Sequence, residues 1–161
     1  MRLAGMTESR PGGDGTLTIT RDQIVSAARG WVGTPYHHQG SVKGVGCDCL
    51  GLVRGVFREL YEAEPEAVPA YTRDWAEARG AETLLDAAGR HLTQKAGLHE
   101  SLPGDVLVFR LNERSMAKHA GIMVSDTSMV HAQENAGCVE VSVGRWWRRR
   151  VAGVFQFPSV G

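Results

Sequence analysis

Cysteine is scarce in this chain of 161 residues, with only Cys47, Cys49 and Cys138. An odd count of three argues against a disulfide framework, so each is core, metal ligand or nucleophile. Charge of one sign is also lacking. The 18 basic and 18 acidic side chains leave a net charge of +0, which speaks against a nucleic-acid coat or a polybasic membrane binder. No apolar run approaches the ~20 residues that span a bilayer. Met1 to Thr16 is rich in Gly, with Ser9 and Pro11 among them, and has no apolar stretch of the ~7–15 residues a secretory leader needs. Met6 offers a second start. The expectation is a chain made in the cytoplasm and carried to its place of action by something other than its own leader. What remains is an ordinary globular mixture, 42% hydrophobic and 22% charged. A length in the range of about 100–200 residues predicts one domain, here residues 20–161 behind a flexible segment 1–19.

Along the chain, Thr20 and Gln23 have the spacing of a capping box. Ile24, Ala27, Ala28, Trp31 and Val32 follow at helical spacing, and Gly30, Gly33 and Pro35 end that helix. Thr34 to Gly46 reads as a loop. Asp48 is a good N-cap for a second helix over Cys49 to Tyr61, with Cys49, Val53, Val56, Phe57 and Leu60 on one face. Gly51 and Gly55 cost on the order of 1 kcal/mol each inside a helix, and close packing of that face against a sheet is the structural reason expected. Glu62 to Pro69 is an acidic connector, and its Glu59 to Glu66 surroundings read as a solvated face. Two short helices are predicted around Trp75 and around Leu84 and Leu85. Residues 63–100 therefore read as a helical insertion. From Leu102 onward the pattern changes to strands: Val106 to Phe109, Ala120 to Val124, Met129 to Ala132, Val139 to Val143 and Val154 to Phe157. Helices first and short strands after predict an α+β fold, N-terminal helices on one side of a C-terminal antiparallel meander of about five strands.

The chemistry concentrates in Gly46-Cys47-Asp48-Cys49-Leu50-Gly51. It sets Cys49 where a loop becomes a helix, and the free N–H groups and dipole of a helix start favour an anion there. A thiolate so placed can have a lowered pKa, as a nucleophile requires. The competing reading is a small buried hydrophobe. Six histidines are available as base. His119 opens one predicted strand and His131 closes the next, so pairing of those strands would set the imidazoles side by side, one as base and one holding it. A lone histidine is more often a satisfied polar residue, and two at neighbouring strand ends weaken that alternative.

Five blocks then resemble one family in order: Gly33-Thr34-Pro35-Tyr36, Asp48-Cys49-x-Gly51-Leu52, Pro103-Gly104-Asp105, His119-x-Gly121-Ile122 and Val130-His131-Ala132. Together they resemble the NlpC-type cell-wall cysteine peptidases over about Asp22 to Phe157. Trp31-x-Gly33-Thr34-Pro35-Tyr36, Cys47-Asp48-Cys49-Leu50-Gly51 and Trp147-Arg148-Arg149-Arg150 resemble the branch encoded with phage tails and gene transfer agents. The resemblance implies a papain-like fold that hydrolyses peptidoglycan stem peptides. Cys49 is then the nucleophile, His119 the general base and acid, and His131 the orienting member. Tyr36 sits beside the thiol, Asp48 helps recognise a stem-peptide amine, and the Cys49 backbone N–H is an oxyanion donor. Leu50 departs from the family, which usually has Ser directly after the nucleophile, and this is expected to alter a substrate subsite.

Rival readings stand beside this one. His37, His38, Cys47 and Cys49 are zinc-ligand types, but C-x-C and adjacent histidines are not the usual structural spacing, so no metal or organic cofactor is expected. A structural tail-tip component with an idle site is a second alternative, and an amidase or acyltransferase on the same fold a third. A Cys47–Cys49 disulfide would be strained. Arg145-Trp146-Trp147-Arg148-Arg149-Arg150 reads either as a strand edge or connector with one tryptophan in the core, or as a docking edge for a tail hub protein.

Overall fold

A computed structural model describes residues 18–64 and 83–161. The segment before Thr18, the helix expected around Trp75 and most of the acidic connector lie outside the described residues.

Helix α1, Arg21–Arg29, begins at the capping box. The Thr20 hydroxyl accepts from the Gln23 backbone N–H and the Gln23 side chain accepts from the Thr20 N–H. Ile24 and Ala28 are buried on its inner face, and Trp31 is buried just past its end. Val32 lies beyond the helix and is exposed, contrary to its expected place on the apolar face. Helix α2, Cys49–Tyr61, is capped by Asp48, whose Oδ1 accepts from the Gly51 N–H at 2.8 Å. Its fully buried positions are Gly51, Leu52, Gly55 and Val56, while Val53, Phe57 and Leu60 pack at the margin. The two glycines do mark close packing, but not against the sheet. A Cβ on Gly55 would lie 2.1 Å from the Trp31 ring, and one on Gly51 would lie 1.7 Å from the Gly40 carbonyl oxygen.

The expected loop before α2 holds a small antiparallel pair, β1 (Ser41–Val42) and β2 (Gly46–Cys47). Helix α3, Thr83–His91, accounts for the helix expected around Leu84 and Leu85. The main strands are β3 (Thr93–Gln94), β4 (Val106–Phe109), β5 (His119–Met123), β6 (Ser128–Gln133), β7 (Gly137–Ser142) and β8 (Val151–Gln156). They form one six-stranded antiparallel sheet in the order β3-β8-β4-β5-β6-β7. Only β4 to β7 run as a meander. The last strand returns to lie beside β4, and the sixth strand, β3, extends the sheet from within the expected insertion.

Both faces of the sheet are covered. Val106, Val108, Ala120, Ile122, Val130 and Ala132 belong to the core shared with α1 and α2. The alternate residues Leu107, Phe109, Met123, Met129 and Val154 form a second cluster with Leu98 and Trp147. This explains why β4 reads as the unbroken apolar run Val-Leu-Val-Phe rather than as an alternation. Trp147 lies in helix α4, Arg145–Arg148, so the arginine-rich run is a short helix and not a strand edge. One tryptophan does join the interior, and its neighbour Trp146 stays exposed.

The sheet is tied to α1 by Asp105, whose side chain is fully buried. Its carboxylate accepts from Arg21 at 2.9 Å, Lys95 at 2.6 Å and the Leu102 backbone N–H at 2.9 Å. Arg21 also donates to the Pro103 carbonyl and to Gln156 on β8. The Pro-Gly-Asp turn is therefore a junction of four segments.

Candidate active site

The sulfur of Cys49 is delivered by the start of α2 to a gap in the sheet. Strands β5 and β6 form ladder pairs only at Ile122–Val130 and Met123–Met129. Toward His119 their facing backbone is released from the ladder, and the helix start fills the opening. The Cys49 thiol donates to the Lys118 carbonyl at 3.7 Å. The backbone N–H groups of Ala120, Leu50 and Cys49 itself are directed at the sulfur and favour its anion.

These donors do not prevail. Burial, followed by the negative charge of Asp48, pushes the Cys49 thiol up to about 12. The direction is opposite to that expected from the helix start alone, because removing a thiolate from water costs more than a few N–H dipoles return. Burial also pulls His119 down to about 3, with the neighbouring His131 adding to the effect, and burial lowers His131. At neutral pH the thiol and both imidazoles are uncharged.

His119 and His131 meet across β5 and β6. Nε2 of His119 lies 2.9 Å from Nδ1 of His131, with the rings nearly perpendicular at 89°. By strand alternation they share the sheet face of Phe109 and Met129. Trp147 caps them: its ring stacks on His119 at 5.6 Å and meets His131 edge-on at 5.1 Å. Phe109 in turn packs on Trp147 at 4.9 Å. Among the described residues, the Nε2 atom of His131 is buried with no hydrogen-bond partner. Sequence reasoning placed one tryptophan of the basic run in the core, or the run at a docking edge, and missed the position of Trp147 over the histidine pair. The only signal was a tryptophan inside an otherwise exposed basic run.

Cys49, His119 and His131 line one pocket of about 580 Å³, together with Tyr36, Asp48 and Leu50. All five expected site residues are thus brought to the same place. Tyr36 is set there by a bridge to Cys47 at the end of β2. Asp48 is almost fully buried and spends its oxygens on the Gly51 and Gln39 backbone N–H groups, with His38 Nδ1 4.0 Å away. Its observed work is to shape the turn into α2. The rival zinc set does not converge. Cys47 is turned into the core against Cys138, Cys49 faces the pocket, and His37 Nδ1 is engaged with the His38 carbonyl.

The sequence profile of the NlpC/P60 family matches residues 33–156. This chain belongs to the NlpC/P60 family. A Mycobacterium tuberculosis protein named "probable endopeptidase" is 33% identical over 130 residues, covering 81% of this chain and 27% of that protein. The Escherichia coli "probable endopeptidase NlpC" is 26% identical over 129 residues, covering 80% of this chain and 70% of that one. The chain thus spans only a minor part of its mycobacterial relative. The solved NlpC/p60 domain of the peptidoglycan hydrolase SagA superposes with a TM-score of 0.60 at 20% identity, over 86% of this chain and 100% of that domain, which is a likeness of fold. Within this NlpC/P60 domain the departing residue, Leu50, lines the pocket one position after Cys49.

Proposed function

We propose that the chain is a cysteine peptidase that hydrolyses peptide bonds in peptidoglycan stem peptides. The observation that carries the reading is the 2.9 Å contact between His119 and His131 above the pocket that holds the Cys49 sulfur. The mechanism uses the tautomer in which Nε2 of His119 donates to Nδ1 of His131; Nδ1 of His119 is then unprotonated and takes the thiol proton once the thiol turns from the Lys118 carbonyl. Because thiol and imidazole both rest uncharged, the proton passes to His119 as sulfur attacks the carbonyl, in the manner of general-base catalysis rather than from a standing ion pair. The oxyanion then meets the Cys49 N–H at the helix start, with Tyr36 alongside. The imidazolium of His119 returns the proton to the leaving amine, and water repeats the cycle on the thioester. His131 fixes the ring, and Trp147, stacked on His119, restrains it and offers its π face to the transient positive charge.

The names of the relatives support the substrate class: two are endopeptidases by name, and the SagA domain comes from a peptidoglycan hydrolase. Asp48, at the pocket wall, is the residue we assign to the stem-peptide amine. The Trp31 to Tyr36 and Trp147 to Arg150 motifs support delivery of the domain by a phage-like tail or gene transfer agent, with a tail hub as partner and the wall as place of action. Mass spectrometry of purified wall treated with wild type and with Cys49→Ala is the test. New stem-peptide termini from the wild type alone are expected, and identical fragments from both proteins contradict the assignment.

A further inference from the structure

The two cysteines that the catalytic reading leaves unused face each other. Cys47 and Cys138 are both fully buried, and their sulfurs lie 3.1 Å apart although they are 91 positions apart in the chain. The segment Gly33 to His37 runs between them. It takes backbone hydrogen bonds from both sides: Cys47 N–H to the Pro35 carbonyl, His37 N–H to the Cys47 carbonyl, Gly33 N–H to the Cys138 carbonyl and Cys138 N–H to the Thr34 carbonyl. Cys47 ends β2, two residues before Cys49. Cys138 lies on β7, the edge strand of the main sheet.

We propose that Cys47 and Cys138 are an oxidisable pair that closes to an intramolecular disulfide in an oxidising compartment, riveting the segment that bears Tyr36, Asp48 and Cys49 to β7. Closing the pair needs the sulfurs to approach from 3.1 Å to about 2.05 Å, a movement within side-chain reach. Either thiol can donate to the other across this contact, and such a hydrogen bond favours the thiolate of whichever sulfur accepts it. With hydrogen peroxide as oxidant, one of the two sulfurs forms an S–O bond as the O–O bond breaks, and the first water leaves. The other sulfur then displaces that oxygen, forming the S–S bond and releasing a second water. Two thiols and one hydrogen peroxide give one disulfide and two waters. Cys49 takes no part and keeps its thiol. The inference does not depend on the peptidase reading.

The test uses Cys49→Ala, in which Cys47 and Cys138 are the only thiols. The folded protein is treated with hydrogen peroxide, or refolded in a glutathione redox buffer, then denatured and labelled with maleimide. The expected result is loss of both labelling sites, a mass lower by two hydrogens in the monomer, and a melting temperature roughly 10 °C above that of the dithiothreitol-reduced form. Wild type treated alike should keep one labelled thiol, on Cys49. Two labelled thiols in the Cys49→Ala protein after both treatments, a cross-linked dimer in place of the internal bond, or a Cys47–Cys49 bond in the wild type overturns the proposal.

Discussion

Two buried polar groupings sit at opposite ends of β4 and β5, and they are built on opposite plans. At Asp105 every strong donor finds an acceptor. Two cations and a backbone N–H converge on one carboxylate, and Arg21 continues to Pro103 and Gln156. At the histidine pair the bonding is left incomplete. Among the described residues His131 Nε2 has no partner, the β5–β6 ladder stops after two residue pairs, and burial holds three titratable groups in the uncharged state. A saturated network has nothing left to give a substrate, so it can only hold segments together. An unsaturated one stores a capacity that a reacting group can use, at a cost in stability borne by the rest of the fold.

The sharpest way to break this contrast is to exchange the consequences of mutation between the two regions. Cys49→Ala should lower wall hydrolysis by at least about a thousandfold and leave the melting temperature unchanged or higher; a matching collapse in thermal stability would make Cys49 a packing residue. Asp105→Asn should do the reverse. It leaves Arg21 and Lys95 facing a neutral amide and should cost about 3 kcal/mol, close to ~10 °C in melting temperature, with kcat well below the transition changed by less than about twofold. Trp147→Leu should reduce kcat by roughly tenfold with little change in KM, and Trp147→Phe should restore most of it, since a ring keeps the stack on His119.

Acid titration separates the regions more gently. The folded pKa of His119 is lowered from 6.5 to about 3, so below 6.5 the unfolded chain binds more protons than the folded one. Stability is therefore full above that value and declines as pH falls toward about 3. The melting temperature should drop over this window, and His119→Gln should flatten the drop; equal pH profiles for the two proteins would contradict a dry, neutral His119. The raised Cys49 pKa gives the smallest effect. Alkylation by iodoacetamide should quicken by about tenfold per pH unit between roughly pH 6 and 9, whereas a preformed ion pair would give a plateau.

Local chemistry was legible in the sequence wherever the deciding atoms are neighbours in the chain. The Thr20–Gln23 box and the Asp48 cap emerge as read, because each is a contact across three residues. The strands β4 to β8 announce themselves through short apolar stretches between turn residues, and the facing of His119 and His131 follows from a tight connection between adjacent strands. What escaped is non-local. Nothing in Thr93-Gln94 marks a strand until β8 lies beside it, and the return of β8 to β4 is a matter of topology. The Gly51 and Gly55 partners, Gly40 and Trp31, come from other segments. The direction of the Cys49 pKa failed for the same reason: the helix start is visible in sequence, but the loss of water around the sulfur is a property of the assembled pocket. Trp147 was hidden by its basic neighbours, which point outward while it turns in.

The crowding at Gly51 and Gly55 has a bearing on how such a domain can diversify. Neither position admits even a methyl group without displacing the Gly40 backbone or the Trp31 ring, so the inner side of the nucleophile helix is closed to variation at these two points. Freedom to retune selectivity is confined to the pocket's margin, at Leu50, Leu84, Leu111 and Trp146. Directed evolution toward a different wall chemistry should find its successful changes there, and libraries randomised at positions 51 and 55 should return glycine.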